Sequence, residues 1–216
     1  LGSTIIGLEN QTPETIDQAI EYAVSHDTDF HQFMLYTPIP GTPLYAEHQA
    51  KGTLDPDVDP ADYHGQFHFN FHHPFISREQ SGEFLLRAFR RDFNRNGPSI
   101  LRIIRTVLQG WQRHRNHPER RVRERYRRDV RLFGITFGGA AWAMERYFRS
   151  RNAAVARKVR AIQEDIHREF RLTGPLLGPV AGSFIRYRIW REERRLNRGW
   201  TYEPPTFIER RNWNTA

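Results

Sequence analysis

Apolar positions change period several times along the chain, and each change predicts a different element. Ser3-Thr4-Ile5-Ile6-Gly7-Leu8 is a short, β-rich apolar run. After Thr12-Pro13-Glu14, residues Ile16, Ala19, Ile20, Ala23 and Val24 recur at steps of three and four and form one helical stripe. Thr12 suits the cap of that helix, Pro13 its first position and Glu14 the positive end of its dipole. His26 and Asp27 end it, and Phe30-His31-Gln32-Phe33-Met34-Leu35-Tyr36 is a second strand. A strand, a helix and a strand in this little sequence favour a parallel pair with a crossover, hence an α/β sheet. Thr37-Pro38-Ile39-Pro40-Gly41-Thr42-Pro43-Leu44-Tyr45 then makes a rigid, proline-fixed exit. Pro43 opens a short helix to about Lys51, with Gly52 as its stop.

Beyond residue 76 the period is helical. Ser77-Arg78-Glu79-Gln80 is a capping-box start, followed by Phe84, Leu85, Ala88, Phe89 and Phe93, and Asn96-Gly97 ends that helix. Pro98 opens a second helix (Leu101, Ile104, Leu108, Trp111) and Pro118 a third (Val122, Tyr126, Val130, Phe133). An apolar helix through Ala140 to Phe148 comes next, then a stripe of Val155, Val159, Ile162, Ile166 and Phe170. Gly174-Pro175 is expected to break the chain before a last helix from about Pro179 to Asn197. The expected organisation is an α/β piece over 1–76, a helical extension over 77–198 and an extended aromatic tail over 199–216, mostly α overall.

Phe67-His68-Phe69-Asn70-Phe71-His72-His73-Pro74-Phe75 alternates like a strand at first, with Phe67, Phe69 and Phe71 on one face. His68 and His72 would then stand roughly 13 Å apart, a poor metal geometry. A pocket lining or a surface segment suits the stretch better. The acidic loop Asp55-Pro56-Asp57-Val58-Asp59-Pro60 lacks the central glycine and terminal glutamate of a calcium hand.

The 216 residues contain no cysteine, so the chain has no disulfide, thiolate zinc site, cysteine nucleophile or cysteine-held iron–sulfur cluster. The net charge of +8 conceals a polarity, because residues 1–80 carry −10 and residues 81–216 carry +18. Nearly all the positive charge is arginine. Three partners suit it. Nucleic acid is disfavoured, since no recognised module is present and the arginines are spread over several helices. An anionic membrane surface suits basic amphipathic helices flanking two uncharged runs, Leu132–Met144 and Leu172–Ile185, which are too short to span a bilayer. The third partner is the chain's own acidic first unit.

In parallel sheets, ligands sit at the carboxyl ends of strands, which here means Gly7 to Thr12 and Tyr36 to Tyr45. The run Ile5-Ile6-Gly7-Leu8-Glu9-Asn10-Gln11-Thr12-Pro13-Glu14 resembles the fifth strand and following turn of radical S-adenosylmethionine (SAM) enzymes. In that family a glycine-x-isoleucine-x-glycine strand leads to a turn ending in threonine-x-glutamate. Ile5, Gly7, Thr12 and Glu14 fit; Ser3 stands where the first glycine is usual and Asn10 where an acid is common. Pro38-Ile39-Pro40-Gly41-Thr42-Pro43-Leu44-Tyr45 is similar to the segment after the sixth strand, frequent in the cobalamin (B12)-binding group. The resemblance covers about residues 1–55, with a looser likeness to that group's C-terminal extensions beyond.

The resemblance implies the last strands of a partial TIM-like barrel and S-adenosylmethionine as cofactor. Ile5, Gly7 and Leu8 would form one wall of an adenine slot, and Leu35, Tyr36 and Pro38 the other. The family's CxxxCxxC loop and first strand are not in this sequence. A 4Fe-4S cluster and cobalamin are therefore implied only for a longer polypeptide. The chain opens at Leu1 inside a strand-like run and is expected to be the C-terminal piece of such a protein, partnered by its missing N-terminal part. The implied reaction is radical methylation or rearrangement of an unreactive carbon, on a lipid or another substrate. No residue here is assigned as acid, base, nucleophile or metal ligand. The competing expectation is a non-catalytic basic helical module that binds nucleic acid or an anionic membrane. The expected location is the cytoplasm, or the periphery of the inner membrane face.

Overall fold

A computed structural model describes residues 1–200. Strand β1 (Gly2–Ile6) is followed by helix α1 (Pro13–Ser25), strand β2 (His31–Leu35) and helix α2 (Pro43–Lys51). An irregular stretch with one 3-10 turn leads to six further helices: α3 (Arg78–Asn96), α4 (Ser99–His114), α5 (Arg120–Asp129), α6 (Phe133–Phe148), α7 (Ala153–Glu169) and α8 (Thr173–Leu196). The described part is mostly helical, with a two-stranded parallel sheet in which Gly2 pairs with His31 and Ile6 with Leu35. Local chemistry sets several boundaries as expected. Thr12 and Ser77 cap α1 and α3 with reciprocal side-chain bonds, and Gly52 ends α2 in the left-handed region.

Two hydrophobic clusters organise the described residues. The first joins Ile6, Phe33 and Leu35 of the sheet to Ile16, Ile20 and Val24 of α1 and to Phe84, Leu85 and Ala88 of α3. Helix α3 thus packs with the strands. The second cluster is wholly helical: Leu101, Ile104 and Leu108 of α4, Phe133, Met144 and Phe148 of α6, and Val155, Val159 and Ile166 of α7.

Arginine ties α1 to α3 within the first cluster and to α4 of the second. Asp17 of α1 pairs with Arg87 and Arg91, Glu21 with Arg95, and Asp27 with Arg105. Beneath these exposed pairs, Arg102 grips the buried Asp92 with two bonds of 2.8 and 3.1 Å. It also donates to the carbonyl of Thr28, and Asn96 donates to that of Val24, which closes the end of α1 onto the α3–α4 corner. The acidic first unit is therefore a partner for part of the arginine excess.

Two expectations need correction. Gly174-Pro175 does not break the chain. Both lie in the first turn of α8, which begins at Thr173 and runs on through Pro179. A first-turn N–H has no partner within its helix, so a proline there sacrifices no bond. Nor is Phe67–Phe71 a strand with one apolar face. Phe69 and Phe71 are buried, Phe67 is exposed, and Asn70 between them is buried too. Side chains take up its bonds in place of a ladder: the Phe69 N–H donates to Ser81 Oγ and the Asn70 amide donates to the Pro38 carbonyl. A single antiparallel bridge, Leu54 to Phe71, remains. Of the expected tail, residues 201–216 lie outside the described residues. No helix among the described residues is long and apolar enough to cross a membrane.

Candidate cofactor site at the carboxyl ends of the strands

Strand alternation divides the sheet's side chains between two faces. The paired residues Thr4 and Phe33, and Ile6 and Leu35, share the face turned to the first core. Ser3 with Gln32, and Ile5 with Met34, share the other. Among the described residues that second face carries no helix, and Ile5 is 54% exposed on it. Parallel sheets are normally covered on both faces.

The strands leave the sheet side by side, because the Tyr36 N–H donates to the Ile6 carbonyl at 2.8 Å. Beyond β1 the chain turns at Gly7, whose φ of 82° is costly for any residue with a Cβ. The Gln11 side chain closes this turn by accepting from the N–H groups of Gly7 and Leu8. A Cβ at Gly7 would also lie 2.4 Å from Phe69 Cζ, so the close backbone approach expected at this glycine is made by Phe69.

The stretch from His64 to Phe75 crosses both strand ends. The Leu35 N–H donates to the Gly65 carbonyl, and His73 stacks on Phe69 at 5.1 Å. His73 Nδ1 accepts from the Phe75 N–H, which leaves Nε2 to carry the proton and donate to the Leu8 carbonyl. His68 Nε2 accepts from Arg78. The imidazoles of this stretch thus hold the loop to the strand ends and to α3.

The six residues expected at the slot are therefore placed differently. Ile5 lies on the uncovered face beside Met34, Gly7 turns just beyond it, and Tyr36, bonded through its N–H to the Ile6 carbonyl, packs partly buried against the first core. Leu8 is exposed in the first exit, and Pro38 is buried in the second with its carbonyl engaged by Asn70. Leu35 lies on the opposite face, 2% exposed and packed in the first core. Tyr36 leans edge-on against Phe71 and His48, at 5.8 and 6.4 Å between ring centroids. Burial first, then the nearby carboxylates of Glu9 and Glu47, hold its phenol above the usual range.

Sequence reasoning missed His48 and Asn70. His48 is almost wholly buried beneath Tyr36 and Phe71; its Nδ1 meets Thr53 Oγ1 at 2.8 Å, and its Nε2 lies 3.5 Å from Glu9 Oε1. That nitrogen and Asn70 Oδ1 are buried without a hydrogen-bond partner. An unpaired buried polar atom costs free energy, which marks this corner as more than core. The period of α2 carried no signal for His48, since its one buried position is a polar residue.

Over 45 residues the chain is 44% identical to an uncharacterized methyltransferase of Pyrococcus horikoshii. That stretch is 21% of this chain and 10% of the relative, so the chain spans about a tenth of that protein's length. No family model matches the chain, and no solved structure matches it significantly. The likeness is thus to part of a methyltransferase, compatible with a methylation-related role and with use of S-adenosylmethionine.

Proposed function

We propose that this chain is the C-terminal part of an S-adenosylmethionine-dependent methyltransferase of the B12-type radical SAM plan. The observation that carries the reading is the pairing of Ile5 with Met34 near the carboxyl ends of two parallel strands, on a face left uncovered among the described residues. In this reading the uncovered face turns to the interior of a partial barrel completed by other strands, and α1 and α3 form its outer layer. The likeness to a methyltransferase supports the same reading.

The residues fit an adenosyl group in part. Ile5 offers exposed apolar surface for a base, while the N–H groups of Gly7 and Tyr36 are already bonded to Gln11 and to the Ile6 carbonyl. Asn70 Oδ1 and His48 Nε2 are buried polar atoms without a hydrogen-bond partner close to the second exit, the latter 3.5 Å from Glu9 Oε1. Leu35 is a supporting core residue rather than a wall. S-adenosylmethionine would supply the methyl or the adenosyl radical, and this chain would bind and orient its base. With no cysteine, these residues offer no thiolate for a cluster, so the 4Fe-4S cluster and the cobalamin of this reading belong to the rest of the polypeptide.

Two measurements test the proposal. The coding sequence upstream of Leu1 is expected to continue in frame into CxxxCxxC; a stop codon there, or an upstream domain without that loop, overturns it. In the intact protein, Ile5→Asp is expected to weaken S-adenosylmethionine binding at least about tenfold by equilibrium dialysis, a loss typical of spoiling one apolar contact with a base. Unchanged affinity would remove Ile5 from the site.

A further inference from the structure

Helices α6 and α8 run parallel and meet through glycine. Gly134 abuts Thr173 and Gly174, Gly138 abuts Gly174, and Gly139 abuts Ala181 and Gly182. The seam on α8 is Gly174, Gly178 and Gly182, its only buried residues. Leu176, Val180 and Phe184 have the same four-residue period shifted by two, which is about 200° around a helix. They must therefore point away from α6, and they do: Val180 is 70% and Phe184 61% exposed. Leu172 and Leu177 are exposed beside them, and Leu132 at the start of α6 adds to the same end.

This apolar face has a cationic frame. No charged residue occurs between Leu172 and Ile185, or between Leu132 and Met144. Arg131 and Arg171 stand immediately before the two uncharged runs; beyond the second, Arg188 continues the row of Val180 and Phe184 and Arg191 lies beside it, whereas Arg186 continues the glycine row toward α6. Residues 120–198 hold 21 arginine and lysine residues against eight acids. The ion pairs within this stretch use its own acids, chiefly Glu145, Asp165, Glu192 and Glu193. The carboxylates of the acidic first unit that pair with arginine meet Arg78, Arg87, Arg91, Arg95 and Arg105, so they do not offset this excess.

We propose that the outer face of α8, with the adjoining start of α6, is a docking surface for an anionic phospholipid bilayer. An apolar helical face framed by arginine matches that partner on both counts: acyl chains take the leucines, valine and phenylalanine, and lipid phosphates take the guanidinium groups. A second copy of the chain would set one cationic frame against another, which disfavours self-association through this face. The helix lies in the interface and does not cross it, since its uncharged half is only about 20 Å long.

The test is co-sedimentation of the full 216-residue chain with vesicles of phosphatidylcholine alone or with about 30% phosphatidylglycerol. The chain is expected to pellet with the anionic vesicles, to stay in solution with the neutral ones, and to be released as salt shortens the Debye length from about 14 Å to about 5 Å. Val180→Asp is expected to lower the bound fraction at least about tenfold. Tyr22→Asp adds the same charge at an exposed position on α1 and is expected to leave binding unchanged; circular dichroism checks that both variants fold. The proposal is overturned if the chain fails to pellet at low salt, or if Val180→Asp binds like the parent chain. It is also overturned if Val180→Asp only converts a dimer to a monomer in sedimentation velocity, which would assign the face to a second copy.

Discussion

In the first core, Phe33, Phe69 and Ile20 fill the space between a sheet and two helices, whereas α6 and α8 meet over Gly134, Gly139, Gly178 and Gly182. The first arrangement buries its large side chains. The second brings two backbones together by doing without side chains at the seam, so the large residues of α8 are left on the outside. Charge follows the same division. Arg78, Arg87, Arg91, Arg95 and Arg105 are matched to carboxylates of the first unit, and the arginines from Arg120 onward are matched within their own segment or remain in excess. Burial of apolar residues therefore explains the first region. The second needs an account of what its exposed apolar face and surplus charge are for.

The contrast can be broken most severely at the joint between the two regions. Arg102→Ala leaves Asp92 buried with its charge uncompensated, and is expected to cost about 3–5 kcal/mol in urea unfolding. A loss below about 1 kcal/mol would mean that the exposed pairs, not this buried one, hold the regions together.

A smaller effect is expected at Glu145, which is buried between Arg149 and Arg160, each at 2.8 Å. Burial alone would raise its carboxyl, but the hydrogen bonds and charges of the two arginines outweigh that and hold it below the usual carboxylate range. Its folded pKa is thus depressed. Its stabilising effect is complete above the unfolded value and fades as the pH falls through the lower, folded one. Glu145→Gln is expected to cost about 1.5–3 kcal/mol at neutral pH. It should also flatten the acid limb of stability measured by thermal melts below about pH 4.5. An unaltered acid limb would show that other carboxylates set it.

The glycine seam is tested by Gly139→Val. A Cβ there would lie 2.8 Å from Ala181 Cβ and 3.0 Å from the Gly182 nitrogen, with backbone on one side and no flexible side chain to yield. Overpacking of this kind costs about 1–3 kcal/mol, read from chemical denaturation. A neutral result would mean that α8 can move off α6 freely.

Much of the first region was legible in the sequence. Thr12, Pro13 and Ser77 state where helices begin, Gly52 and Gly97 state where they end, and the Ile16-Ile20-Val24 stripe states which face is buried. These are local effects, fixed within one turn of chain. Other features rest on contacts distant in sequence. The role of Phe69 under Gly7 spans about sixty residues, and no periodicity encodes it. His48 and Asn70 were missed because a buried polar residue leaves no hydrophobic signal. The start of α8 was misplaced because Gly174-Pro175 means a break inside a helix and nothing unusual in its first turn.

The sequence by itself determined the order of elements, the parallel strand pair and the separation of an acidic from a basic region, because capping, periodicity and charge act over a few bonds. Only the tertiary structure decided that Leu35 faces the core while Ile5 and Met34 lie on the opposite face, since a face exists only once strands pair and helices cover one side. It likewise decided that the glycines of α8, and not its leucines, meet α6: the first half of that helix, up to Ile185, is free of charge on every row, so contact with the neighbouring backbone chooses which row turns inward.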